Sequence, residues 1–230
     1  ITDINGITID SRKVQVDDIY IPITGKKYDG NNFISASLKS GAQLAFSESN
    51  EKGTNIININ NSKNLIHQLA KEWQSKSMSK IIGITGSNGK TTTKELLFSI
   101  LSKEYRCSKS EGNFNSSIGL PLTFLSTKLN DDYCILEYGA SKPNEINELC
   151  KSIKPNYSLI TNISKAHIEN FSSLDEIVKT KSAIYKNLNK NDIAFLNNDI
   201  SELKNLKINS EKITFGFKNR SKYNGKINSN

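Results

Sequence analysis

Residues 80–95, KIIGITGSNGKTTTKE, constrain this chain more than any other stretch. Ile81, Ile82 and Ile84 form an apolar run that enters a Gly-rich turn. The turn ends in Gly89-Lys90-Thr91, and a helical period follows, with Leu97, Ile100 and Leu101 at i, i+3 and i+4. Strand, loop and helix in that order are the setting of a phosphate-binding loop. Glycines let the backbone approach a polyphosphate, and the N–H groups that open the helix point at the anion. On this reading Gly86, Ser87, Asn88, Gly89, Lys90, Thr91 and Thr92 hold a nucleotide, Lys90 reaches the β- and γ-phosphates, and the Thr91 hydroxyl ligates Mg2+. The common pattern G-x-x-x-x-G-K-[ST] is incomplete, because its first glycine falls at Ile84 and the glycines stand at Gly83, Gly86 and Gly89. The alternative is a Gly-rich strand-to-helix turn with an incidental lysine.

Such a loop needs a sheet beneath it, and 230 residues with 36% hydrophobic content suffice for one large domain or two ordinary ones. No apolar run approaches the roughly 20 residues of a membrane helix. The net charge of +8 suits anionic small substrates. The lysines are scattered, without a dense basic stretch or interleaved aromatics, which disfavours nucleic acid as a partner. Cys107, Cys134 and Cys150 lack C-x-x-C spacing and fit free thiols in the cytoplasm. The chain opens on Ile1 rather than Met, which reads as a trimmed or partial sequence.

Residues 1–79 read as a small α/β unit. Ile7, Ile9, then residues 19–21, 43–46 and 56–59 are short strands. A short helix spans 33–39, and a longer one carries Leu65, Ile66, Leu69, Ala70 and Trp73 on one face. His67 beside that face reads as a surface or partly packed residue rather than a ligand. The polar stretch 75–79 places a domain boundary. From residue 80 onward strands and helices alternate, which predicts a parallel sheet with helices on both faces. Its strands are 81–85, 133–137, 157–161 and 193–196, with a further candidate at 212–215.

Ligands of such sheets bind beyond the carboxyl ends of the strands. Glu137 ends one strand, where it either holds Mg2+ or serves as a surface or capping carboxylate. His167 follows another, as ligand or bystander. Lys181 falls on the apolar face of a helix over 174–188, between Ile177 and Ile184. Its stem packs while its head escapes to water, or its amine is held neutral in a low-dielectric site, where it reacts with CO2 to give a metal-binding carbamate. Asn113 and Asn115 offer amides from a loop, or simply turn chemistry. Pro143 and Asn144 stand at the start of a helix.

Four segments, TGSNGKTTTKE (85–95), GNFNSSIGLPLT (112–123), LEYGASKPNEI (136–146) and NISKAHIENFSSLDEIVKTKSAIY (162–185), together resemble the Mur ligases of peptidoglycan synthesis. DSRKVQVDDIYIPITGKKYDGNNF (10–33) is similar to their UDP-binding domain. The resemblance covers nearly the whole chain and is nearest to the branch that joins D-Ala-D-Ala to UDP-N-acetylmuramoyl-tripeptide. It implies a UDP-precursor-binding domain over 1–79 and an incomplete central P-loop ATPase domain over 80–230. The implied enzyme is a cytoplasmic, monomeric, ATP-dependent ligase with two Mg2+ ions.

Lys90, His167 and Lys181 would then be catalytic. Thr91, Glu137, His167 and Lys181 would be metal ligands, with Lys181 carbamylated, since the lysine 14 residues after that histidine is carbamylated in related ligases. Ser11 and Arg12 match the uridine-site motif, and Asn113 and Asn115 match the loop that holds the muramoyl-peptide part. The implied chemistry has two steps: the precursor's carboxylate takes the γ-phosphoryl group of ATP to become an acyl phosphate, and the amine of D-Ala-D-Ala displaces phosphate from it. Tyr138 and Ser141-Lys142 replace the Met and Asn-His of the EMGANHPGEI-type segment, and Asn144 stands at its Gly. Family members continue past the equivalent of Asn230 with adenine-binding residues and a third domain, so the expectation is a fragment that is catalytically incompetent by itself and still binds the UDP precursor. The competing readings are the ligase that adds a diamino acid, disfavoured by GASKPNEI, and a non-catalytic nucleotide-binding module.

Overall fold

The computed structural model describes residues 3–25, 27–110, 112, 114–164 and 170–226. The chain divides into two compact units, Ile1–Glu72 and Trp73–Asn230. In the first unit the strands β1 (Ile7–Thr8), β2 (Ile19–Tyr20), β3 (Leu44–Ser47) and β4 (Ile56–Asn58) form a parallel sheet in the order β1-β2-β3-β4. Strands this short hold because α1 (Ile34–Lys39) packs its Ile34 against Tyr20, Ala42 and Ala45, with Val14, Leu38 and Ile56 around them. The Tyr20 hydroxyl donates to the Gly30 carbonyl at 2.9 Å, so the buried ring carries no unpaired polar atom. The helix α2 (Ser62–Lys76) buries Ile66 and Ala70, while His67 is half-buried. It runs into the stretch expected to break it. Gln74 exchanges hydrogen bonds with the backbone of Lys154, at 2.6 and 2.8 Å, and this tertiary pair holds a last turn that its polar composition does not announce.

The second unit is a seven-stranded sheet in which every pairing is parallel. In chain order it comprises β5 (Lys80–Thr85), α3 (Lys90–Leu101), β6 (Cys107–Lys109), α4 (Gly119–Leu125), β7 (Tyr133–Glu137), α5 (Glu145–Ser152), β8 (Tyr157–Ile160), α6 (Leu174–Lys186), β9 (Ile193–Asn197), β10 (Glu211–Gly216) and β11 (Tyr223–Asn224). The spatial order is β11-β10-β9-β8-β5-β7-β6, with β5 in the middle. That position explains its near-continuous apolar run, since a central parallel strand is covered on both faces. Ser173 caps α6 by accepting the Glu176 N–H at 3.2 Å, and Asp175 and Glu176 load its first turn with negative charge. Tyr185 clips α6 to the sheet: its buried hydroxyl donates to the Phe195 carbonyl at 2.7 Å and accepts the Ile160 N–H at 3.0 Å. Among the described residues no helix is long and apolar enough to cross a membrane.

Candidate functional site

Strand register decides which loops meet. Ile84 stands opposite Glu137, and Thr85 opposite Ile160, so β5, β7 and β8 end at one edge. The loop from β5 to α3 turns at Gly86 (φ +149°) and Gly89 (φ +77°). A Cβ at Gly86 would lie 1.9 Å from Thr161 Oγ1, whereas one at Gly89 would meet nothing within 4 Å. Gly86 is therefore demanded by both backbone conformation and space, and Gly89 by conformation alone. The loop is tied to the segment after β8. The Thr161 hydroxyl donates to the Asn88 carbonyl at 2.6 Å, and the Ser87 hydroxyl to the Ser164 carbonyl at 3.0 Å. The N–H groups of Ser87 and Asn88 donate to the carbonyl and Oδ1 of Asn162, at 3.1 and 2.8 Å. The first intrahelical bond of α3 runs from the Thr93 N–H to the Gly89 carbonyl at 3.0 Å. The N–H groups of Lys90, Thr91 and Thr92 thus open the helix without helical acceptors.

Two lysines converge on one carbonyl. Lys90 Nζ lies 2.9 Å from Gly86 O, and Lys181 Nζ lies 3.2 Å from the same oxygen. Lys181 is 5% exposed, and burial, seconded by the Lys90 charge, lowers its pKa to about 8. Burial also lowers the pKa of Lys90, against the pull of the Glu137 carboxylate. Two ammonium groups on one neutral oxygen form a site of positive potential that suits an anion.

Beside them the Thr91 hydroxyl donates to Glu137 Oε2 at 3.2 Å. Glu137 is buried at the end of β7, and its N–H donates to Ser110 Oγ at 3.2 Å. Its other oxygen, Oε1, is 3.2 Å from the buried Lys94 Nζ. Lys94 was not singled out from the sequence, nor was Asn162. Lys94 follows Thr91 by three residues on α3 and so shares its face. Among the described residues no three His, Cys, Asp or Glu side chains gather as a metal cluster. What Thr91 and Glu137 supply is two hard oxygens 3.2 Å apart. That is near the cis-oxygen spacing of about 2.9 Å implied by Mg–O bonds of about 2.0–2.1 Å, and Mg2+ ordinarily takes only one or two carboxylates beside substrate phosphates. The donor set fits that ion.

A cavity of about 230 Å3 opens onto this edge, lined by Gly86, Lys90, Asn115, Ser116, Gly139, Ala140, Ser141, Glu145 and Lys181. Asn115 reaches it because its carbonyl accepts the Gly139 N–H at 2.8 Å, and a Cβ on Gly139 would strike Asn115 at 2.7 Å. Glu145 Oε2 accepts the N–H groups of Ser141 and Lys142, at 2.6 and 2.9 Å, and so closes the turn before α5. The departures from the family pattern have local reasons. Asn144 takes φ +68°, a left-handed backbone that Asn tolerates better than other residues with a side chain. Tyr138 is fully buried, and its hydroxyl donates to the Ile153 carbonyl at 2.7 Å. Asn113 and His167 lie outside the described residues. In the first unit, Ser11 and Arg12 open a short 3-10 turn after β1. The exposed Arg12 guanidinium makes two 2.8 Å bonds to Asp10, whose pKa it holds down at about 2.

The profile of the Mur ligase middle domain matches residues 84–230, and that of the Mur ligase family, catalytic domain matches residues 3–83. The chain belongs to the Mur ligase family. This Mur ligase chain is 37% identical, over 97% of its length, to the UDP-N-acetylmuramoyl-tripeptide--D-alanyl-D-alanine ligase of Rickettsia prowazekii, of which it covers 51%. It is 32% identical to the ligase of the same name from Bacillus subtilis, with 89% of this chain and 46% of that one aligned. The crystal structure of MurF ligase from Thermotoga maritima in complex with ADP superposes with a TM-score of 0.87 at 31% identity, covering 93% of this chain and 51% of that one. The Mur ligase chain thus spans about half the length of the curated relatives it matches.

Proposed function

We propose that this chain carries the precursor-binding and ATP-binding parts of a cytoplasmic, monomeric ligase that joins D-Ala-D-Ala to UDP-N-acetylmuramoyl-tripeptide through an acyl phosphate. The observation that carries the proposal is the convergence of Lys90, Lys181, Thr91 and Glu137 beyond the ends of β5 and β7, in a chain whose relatives bear that name. Domain roles follow the sequence division: residues 1–79 hold the UDP precursor through Ser11 and Arg12, and residues 80–230 hold ATP. Arg12, now folded onto Asp10, has to exchange that partner for an anionic ligand.

In the second part the loop from Gly86 to Thr92 takes the phosphates. Lys90 releases the Gly86 carbonyl and turns to the β- and γ-phosphates, which offer it a charged acceptor in place of a neutral one. The first-turn N–H groups of α3 supply further donors. Thr91 and Glu137 would hold one Mg2+, and His167 with a carbamate on Lys181 would hold the second; the chemistry such ions would supply is neutralisation of charge on the transferred phosphoryl group. With a pKa of about 8, Lys181 keeps about a tenth of its amine neutral at pH 7. That amine adds to CO2, forming an N–C bond and losing a proton, and the product is anionic. Asn113 and Asn115 hold the muramoyl-peptide part so that its carboxylate meets the γ-phosphate. The acyl phosphate then yields to the amine of D-Ala-D-Ala, and phosphate leaves. Most of the rate is positioning and charge neutralisation.

The test is phosphate release from ATP by the full-length gene product with UDP-N-acetylmuramoyl-tripeptide, with and without D-Ala-D-Ala. Release that depends on D-Ala-D-Ala is expected. Release that depends instead on a diamino acid and the shorter precursor would refute the assigned amine, and silence with either set would refute ligase activity.

A further inference from the structure

Lys94 is the one fully buried residue of α3, while Leu96 and Ile100 on the same helix are 59% and 62% exposed. This inverts the ordinary pattern, in which apolar positions turn inward and a lysine turns out. A buried ammonium persists only when its donors are satisfied and its charge is matched. Here Nζ donates to the Ser110 carbonyl at 2.6 Å and lies 3.2 Å from both Glu137 Oε1 and Glu95 Oε1. The Ser110 carbonyl is its hydrogen-bond acceptor, and the two carboxylates are ion-pair contacts that match its charge, Glu137 Oε1 being buried without a hydrogen-bond partner of its own among the described residues. Glu95 in turn pairs with Lys109, whose ammonium also sits over the Phe98 ring.

This arrangement divides the two oxygens of Glu137. Oε1 faces Lys94 at the floor of the site, and Oε2 faces the Thr91 hydroxyl at the phosphate loop. The Ser110 hydroxyl, which accepts the Glu137 N–H, and the Ser110 carbonyl, which accepts from Lys94, belong to one residue, so carboxylate and ammonium are anchored to the same point. We propose that Lys94 is a positioning residue that occupies one oxygen of Glu137, presents the other alone to the cation, and thereby selects Mg2+ over Ca2+ at the nucleotide site. The inference rests on the nucleotide-binding reading given above. Its physical basis is coordination. Ca2+ takes six to eight oxygens, often with a bidentate carboxylate, whereas Mg2+ accepts one carboxylate oxygen and keeps its waters. A carboxylate with one oxygen held by an ammonium gives Mg2+ what it needs and denies Ca2+ its second contact.

The experiment titrates a fluorescent ADP analogue into the full-length gene product in MgCl2 and, separately, in CaCl2. Wild type is compared with Lys94→Met, and circular dichroism is recorded on each sample. In Lys94→Met, Mg2+-supported affinity should fall by about tenfold to a hundredfold, the usual effect of removing a partner of a metal ligand. Ca2+-supported affinity should fall less or rise, so that the Mg2+/Ca2+ ratio drops at least about tenfold. A loss shared equally by both ions would mark Lys94 as merely structural and overturn the inference while leaving nucleotide binding intact. Absence of any metal-dependent binding in wild type would overturn both. Should Lys94→Met fail to fold, Lys94→Gln, which keeps a neutral donor for the Ser110 carbonyl, is read in the same titration against the same two outcomes.

Discussion

Replacing Gly86 by Ala should damage the protein far more than replacing Gly89 by Ala, although both glycines belong to one loop and both have positive φ. At Gly89 the added methyl meets open space, so the cost is the left-handed backbone alone, about 1–2 kcal/mol. At Gly86 a backbone cost of about 1–3 kcal/mol is joined by a collision, because the new Cβ would stand 1.9 Å from Thr161 Oγ1. That hydroxyl donates to the Asn88 carbonyl at 2.6 Å and cannot move without giving the bond up, at about 1–3 kcal/mol for the orphaned acceptor. The sum for Gly86→Ala is about 2–6 kcal/mol, about 1–4 kcal/mol more than for Gly89→Ala. Urea denaturation of wild type and both variants reads these values directly. Thr161→Ala removes the oxygen from the collision, so Gly86→Ala combined with Thr161→Ala should cost at least about 1 kcal/mol less than the sum of the singles. If Gly86→Ala and Gly89→Ala agree within about 0.5 kcal/mol, or if the double variant is additive, the close approach of Gly86 to Thr161 is not what fixes the loop.

Lys181→Met should change how stability depends on pH. Burial lowers the Lys181 pKa from 10.5 to about 8, so between those values the unfolded chain binds more protons and stability rises with pH, by up to about 1.4 kcal/mol per pH step. Below pH 8 the full cost of keeping the amine charged is present. In CO2-free buffer the advantage of the variant over wild type, measured by urea denaturation, should therefore shrink from pH 8 to pH 10; parallel curves would contradict the buried ammonium. Lys90→Ala should abolish nucleotide affinity while leaving the fold intact, and unchanged binding of an ADP analogue would remove the phosphate-loop assignment. Tyr185→Phe should cost about 1–3 kcal/mol, because it strands the buried Ile160 N–H and the Phe195 carbonyl; a loss under about 0.5 kcal/mol would mean that α6 is not held through that hydroxyl.

The strands of the large sheet were legible where apolar residues cluster within a short segment. β5, β7, β8, β9 and β10 fall within two residues of the positions that periodicity gives. β6 and β11 were not legible, because Cys107–Lys109 and Tyr223–Asn224 are short, the first only partly covered and the second exposed, so neither leaves a pattern. Helix α3 was legible in place and misleading in face. Leu97, Ile100 and Leu101 suggest an apolar stripe, yet Ile100 is exposed and Lys94 is inside. Periodicity reports hydrophobicity, and no such signal marks a lysine whose burial depends on Glu137, 43 residues away in sequence (137 − 94). Asn162 escaped for the same reason: its part in holding the loop is a matter of register between β5 and β8, which sequence spacing does not state. The gathering of Lys90, Thr91 and Glu137 at one edge was legible because parallel strands all end on one side.

The central place of β5 also has a consequence in time. It is the earliest strand of its sheet to be synthesised, and its two neighbours are residues 133–137 and 157–160. At about 5–20 residues per second, the 75 residues between Thr85 and Ile160 (160 − 85) take about 4–15 s to emerge. For that interval Ile81 and Ile84 have no permanent cover on one side, and this is when a nascent chain is most exposed to aggregation. β9, β10 and β11 then add outward one after another, each beside the strand just laid down. Lys181 is synthesised after β8 and 95 residues after Gly86 (181 − 86), so the pair of lysines on the Gly86 carbonyl cannot form until that stretch has emerged. The paired-lysine edge is therefore a product of long-range packing, not of the phosphate loop alone.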